Sequence, residues 1–251
     1  MIQFTNVWKS YAKELGKSCP RPALEDLSFS LAQGRTLGLI GANGAGKSTS
    51  IRLMMDFIRP DKGTIRLFDR PVTDPGQRNL IGYLPETANF PANLTILNLL
   101  RFTADTCSLS KEISKERGEC LLHELGLWEA RHKTLRSYSK GMQQRANFVL
   151  ALLNDPQLLI LDEPMSGLDP LGRGQIIELI QQLKEQGKTI LFCSHILGDV
   201  DRLVDQLLVL HQGRTLFNGP PADLLQEQEA HTIETAFLSL IQRHSEAPQD
   251  A

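Results

Sequence analysis

Residues with the types and spacing to do chemistry begin at Gly41-Ala42-Asn43-Gly44-Ala45-Gly46-Lys47-Ser48. This is G-x-x-x-x-G-K-[ST], a pattern that turns successive backbone N–H groups inward around a phosphate. Glycine permits the wrapping, and the helix expected to follow adds the partial positive charge of its N-terminus. In such a cradle Lys47 reaches the β- and γ-phosphates and the Ser48 hydroxyl ligates Mg²⁺. The nucleotide-contacting set is therefore Gly41, Asn43, Gly44, Ala45, Gly46, Lys47, Ser48 and Thr49. A glycine-rich turn without a ligand is the bland alternative. The apolar run before the loop and the helical pattern after it argue against that.

A phosphate site that uses Mg²⁺ needs carboxylates. Leu158-Leu159-Ile160-Leu161 reads as a buried strand, and Asp162-Glu163-Pro164 ends it. In open α/β sheets ligands gather at the carboxyl ends of strands, where these two acids stand. Asp162 is placed to hold Mg²⁺ through water, and Glu163 to polarise an attacking water.

The elements that must position these groups are legible as alternating patterns. Short apolar runs at Thr36–Ile40, Leu158–Leu161, Thr189–Cys193 and Leu207–Leu210 end at turn signals. Helical-period segments separate them, among them Thr49–Phe57 and Gly174–Glu185. Continuous apolar strands alternating with amphipathic helices predict an α/β fold with a mostly parallel sheet. Leucines at helical spacing amid charges mark residues 87–137 as a helical insertion. The core is expected over 1–86 and 138–219, and a helical extension over 220–251. With 41% hydrophobic and 22% charged residues the chain has an ordinary globular balance, and its net charge of −2 argues against a nucleic-acid partner. The four cysteines show no metal-ligand spacing and fit a reducing compartment. The opening MIQFTNVWKS lacks a signal pattern, and no apolar stretch approaches the ~18 residues of a membrane span. Work at a membrane is expected to need a partner chain.

Tyr138-Ser139-Lys140-Gly141-Met142-Gln143-Gln144-Arg145 narrows the reading. Ser139 is a good N-cap for an apolar helix reaching Leu153, so a second helix N-terminus is offered to an anion. Taken with the two motifs above, in this order, the segment resembles the signature of ATP-binding-cassette ATPases. It departs from the usual Leu-Ser-Gly-Gly-Gln at Tyr138, Lys140 and Met142, and keeps the phosphate-facing serine and glycine as Ser139 and Gly141. Ser166-Gly167-Leu168-Asp169 is similar to the family's subunit-pairing loop. His195, after the apolar run ILFC, is similar to its switch histidine, and Tyr11 to the aromatic on which adenine stacks. Glu86, in Ile81-Gly82-Tyr83-Leu84-Pro85-Glu86, stands where the family has a glutamine that contacts metal and water. This YLPE form resembles one exporter branch.

The resemblance implies a P-loop NTPase fold with an N-terminal antiparallel β region. It implies ATP and Mg²⁺ as ligands, with the metal on Ser48, Asp162 and Glu86, and catalysis by Glu163, His195 and Glu86. One phosphate loop and one signature per chain imply a dimer of two copies, or with a homologous subunit, closed around two ATP. They also imply a separate multi-span permease that holds the protein to the cytoplasmic face of the cell membrane. Thr232–Leu238 resembles the tail of small-molecule exporter ATPases. A soluble cassette ATPase of iron–sulfur assembly or translation is the alternative.

Overall fold

The computed structural model describes residues 1–11, 22–87, 89–194 and 197–246. Among these, strands β1 (Ile2–Lys9), β2 (Leu24–Leu31) and β3 (Thr36–Ile40) lead into helix α1 (Lys47–Met54), then β4 (Lys62–Leu67), β5 (Arg70–Pro71) and β6 (Ile81–Leu84). Helices α2 (Ile96–Thr106), α3 (Lys111–Glu124) and α4 (Lys140–Leu152) follow, then β7 (Leu158–Asp162), α5 (Pro170–Glu185) and β8 (Thr189–Ser194). Strands β9 (Gln206–His211) and β10 (Arg214–Gly219) precede α6 (Pro221–Glu227) and α7 (Ile233–Glu246). The fold is mixed α/β, with an antiparallel sheet near the N-terminus and mostly parallel strand pairing among the rest. The chain forms two compact units, residues 1–75 with 191–251, and residues 76–190.

In the first unit β1 pairs antiparallel with β2 on one side and β4 on the other. Alternation drives this sheet: Ile2, Phe4 and Val7 of β1 and Leu27, Phe29 and Leu31 of β2 are buried, while intervening residues face water. Phe4 and Phe29 stack at 4.7 Å across the pair. β3 differs, being buried at every position, as a strand covered on both faces must be. It runs parallel to β9, and β9 turns through a hairpin into antiparallel β10. The α1 helix ends at Met54, short of the predicted Phe57. Asp56 takes a left-handed φ of 58° and leaves Phe57 in solvent.

In the second unit β6 and β7 are parallel, with Leu84 opposite Leu161. Helices α2, α3 and α4 pack together before β7 begins. Each starts at a polar cap: Thr95 for α2 with a reciprocal bond from Asn98, Ser110 for α3 and Ser139 for α4. The α5 helix starts four residues before the predicted Gly174. Asp169 accepts from the Gly172 amide at 2.8 Å and Pro170 occupies the first turn. β8 spans the division, Thr189–Ile190 belonging to the second unit and Leu191–Ser194 to the first.

Candidate functional site

In the first unit the buried strand β3 stops at Ile40 and the chain wraps through Gly41–Gly46 into α1. Two glycines are obligatory there. A Cβ on Gly41 would lie 2.4 Å from the Leu210 carbonyl oxygen. Gly46, the N-cap of α1, has φ 111°, and a Cβ on it would lie 2.6 Å from Leu24 Cδ2 and 2.8 Å from the Ala23 oxygen. No side chain caps α1, so its first-turn amides have no partner within the helix and are left for a ligand. The loop is braced from behind, since the Gly213 amide in the β9–β10 turn donates to the Ala45 carbonyl at 3.0 Å.

Lys47 is buried, and its Nζ donates to the Gly41 and Ala42 carbonyls at 2.6 and 3.3 Å. The ammonium therefore lies folded over the loop, its charge held by backbone oxygens. Above it a cavity of about 280 Å³ is lined by Tyr11, Ala23 and Ala42–Thr49. The Tyr11 hydroxyl lies 3.3 Å from the Thr49 hydroxyl, and the ring is 43% exposed, which leaves a face for an aromatic ligand. Of the expected nucleotide set, Tyr11, Asn43, Gly44, Ala45, Gly46, Lys47, Ser48 and Thr49 all line this cavity. Gly41 is not among the residues that line it. β8 of the same unit ends at buried Ser194. His195 lies outside the described residues.

The second unit holds the acids. Asp162 and Glu163 are each 8% exposed, whereas Glu86 is exposed. Leu84 and Leu161 are opposite one another, so Glu86 and the Asp162-Glu163 pair leave adjacent parallel strands at the same end. Glu163 has φ 50°, a left-handed backbone that non-glycine residues adopt at some cost. The turn it makes is closed by the Ser166 amide donating to the Glu163 carbonyl at 3.0 Å. Ser139 caps α4 as expected, its Oγ accepting from the Met142 amide at 3.2 Å. Ser139 is exposed and Gly141 half-buried, so this helix tip faces outward.

Comparison with known proteins decides what the two halves belong to. A family model described as ABC transporter matches residues 24–166. The chain belongs to the ABC transporter family. An ABC transporter ATP-binding protein of Synechocystis sp. is 42% identical over 213 residues, 84% of this chain and 60% of that protein. Nod factor export ATP-binding protein I of Sinorhizobium fredii is 39% identical over 230 residues, 90% of this chain and 65% of that protein. The chain thus spans less than two thirds of the length of either relative. A solved ATP-binding subunit of an ABC transporter superposes with a TM-score of 0.86 at 30% identity, covering 96% of this chain and 99% of that one. The P-loop NTPase fold expected from the sequence is the fold of that structure.

Two buried amides of this ABC protein were invisible to motif reading. Gln144 Nε2 donates to the Pro164 carbonyl at 2.9 Å and Asn147 Nδ2 to the Pro85 carbonyl at 3.4 Å. Gly213, behind the phosphate loop, was missed for the same reason: it acts through backbone, at a distance in sequence. As for metal, no group of three or more His, Cys, Asp and Glu forms among the described residues. In the first unit Ser48 offers a hydroxyl, and in the second Asp162 and Glu86 offer carboxylates, which are the oxygen donors that Mg²⁺ takes together with phosphate and water.

Proposed function

We propose that the chain binds and hydrolyses ATP as the motor subunit of an exporter, working with a separate membrane-spanning permease. The observation that carries the reading is the cavity over Gly41–Thr49, where uncapped amides, the Lys47 ammonium and the Tyr11 ring face one space. Adenine stacks on Tyr11, and the phosphates lie on the loop and α1 amides. Lys47 leaves its two carbonyls for the β- and γ-oxygens. Ser48, Asp162 and Glu86 would hold Mg²⁺, which would neutralise charge on the phosphates. Glu163 takes a proton from the attacking water as its oxygen bonds to the γ-phosphorus and the bond from that phosphorus to the bridging oxygen breaks, giving ADP and phosphate. His195 contacts the γ-phosphate.

The tip at Ser139–Gly141, exposed at Ser139 and half-buried at Gly141, supports closure of two copies around two ATP, each tip completing its neighbour's site. Loss of the γ-phosphate removes that grip, and the opening is passed to the permease. The helical insertion 87–137 is the segment we assign to that contact, while residues 1–86 with 138–219 form the ATPase core and 220–251 an extension. Membrane attachment follows from the permease, for no helix among the described residues is long and apolar enough to cross a bilayer. Export is supported by the similarity to a Nod factor export protein and by the Glu86 variant. Relatives named as transporter components leave the soluble alternative without support.

Lys47→Ala tests the cradle. It removes the buried cation, and ATP binding by calorimetric titration should fall below detection in the micromolar range. Native affinity in a folded variant would refute the assignment.

A further inference from the structure

We propose that Gln144 and Asn147 are positioning residues through which α4 holds both acid-bearing loops, so that movement of the helix reaches Glu86 and Glu163 together. The inference rests on the reading of those two acids given above. The inner face of α4 is otherwise apolar, with Ala146, Phe148 and Val149 buried, yet it carries two amides only 4% and 5% exposed. Three residues apart, they share one side of the helix. Each donates to a proline carbonyl, Gln144 to Pro164 next after Glu163, and Asn147 to Pro85 just before Glu86. Proline has no N–H, so at these two positions the backbone offers only an acceptor. A donor reaching in from α4 is what fixes it.

The helix is held closely near both ends. A Cβ on Gly82 of β6 would lie 2.3 Å from the Ala151 carbonyl oxygen, so helix and strand are in close backbone contact. At its other end, the buried Tyr138 hydroxyl donates to the Ala130 carbonyl at 3.0 Å. Burial raises the affinity of that phenol for its proton, which keeps it a donor. The turn at Trp128–Ala130, α4 and both acid loops are therefore joined by three side-chain-to-carbonyl bonds. Rearranging the helical insertion displaces the acids, and a misplacement of about 1 Å costs up to ~10²-fold in rate.

Gln144→Met in the full chain keeps side-chain length and removes the donor. ATP turnover (kcat) should fall about tenfold or more, with the ATP Kd within about twofold of native. In hydrogen exchange, the amides of Ser166 and Leu168 should exchange faster while those of β7 do not. Gln144→Glu places an ionised carboxylate against the Pro164 carbonyl at high pH. Its kcat relative to native should recover as the pH falls and the carboxyl becomes a donor, whereas Gln144→Met shows no such recovery. A merely structural amide would lower the melting temperature of both variants and leave kcat per folded molecule unchanged, which overturns the proposal. Asn147→Leu carries the same readouts for the Pro85 loop and serves where a Gln144 variant fails to fold. Glu163→Gln in parallel separates two failures. Native turnover in Glu163→Gln removes the reading of the acid, and the proposal with it. Turnover lost in Glu163→Gln but native in Gln144→Met overturns the coupling alone.

Discussion

Gly46→Ala strikes the phosphate cradle where it is tightest. The backbone there has φ 111°, and a methyl group would lie 2.6 Å from Leu24 Cδ2 and 2.8 Å from the Ala23 oxygen. Left-handed backbone costs a residue with a Cβ about 1–2 kcal/mol. Overpacking adds about 1–3 kcal/mol, because Leu24 is fully buried and Ala23 presents backbone. The total, about 2–5 kcal/mol, is a large share of the ~5–15 kcal/mol that holds a typical domain folded. Gly41→Ala is the control. It meets the Leu210 oxygen at 2.4 Å but lies outside the positive-φ set, so only the steric part, about 1–3 kcal/mol, applies. Urea unfolding of the three proteins, with slopes compared, measures both losses. ATP titration should show weakened binding in each variant, since the displaced atoms form the loop itself. Gly46→Ala within about 0.5 kcal/mol of native and binding ATP normally would refute the reasoning.

Two further outcomes are expected. Tyr11→Ala should weaken ATP by about 1 kcal/mol, the scale of an aromatic stack, and leave inorganic triphosphate binding unchanged; equal losses for both ligands would move the adenine site elsewhere. Asp155 accepts a hydrogen bond from Lys188, which with the charges of Lys188 and Arg117 holds its carboxyl below the ordinary range against the opposing effect of burial. Its contribution is therefore fully present above the unfolded value of about 4 and is lost as pH falls through the lower folded value. The stability gap between native and Asp155→Asn, under about 1 kcal/mol for so exposed a group, should close in acid, and a gap constant from about pH 7 to pH 3 would contradict the pairing.

What could be read in advance was whatever is local in the chain. The phosphate loop, the Ser139 cap and the acids ending an apolar run each occupy a few consecutive residues, and their backbone consequences follow from residue type. Boundaries moved where a single residue overrode periodicity, as Asp56 did for α1 and Asp169 for α5. Gln144 and Asn147 were illegible because their partners lie 20 and 62 residues away and are backbone carbonyls, which leave no mark in a sequence. The left-handed turn at Glu163 was equally hidden, since glutamate has no preference for it. Tyr11 was reached through family resemblance alone. Its hydroxyl contact is with Thr49, 38 residues on.

The most direct test of the motor reading is sedimentation of Glu163→Gln with ATP and Mg²⁺. An amide cannot take the proton of the attacking water, so nucleotide should remain intact, and the account predicts a dimer carrying two ATP that native protein forms only transiently. A variant that stays monomeric with ATP bound, or that hydrolyses it at the native rate, would contradict the account.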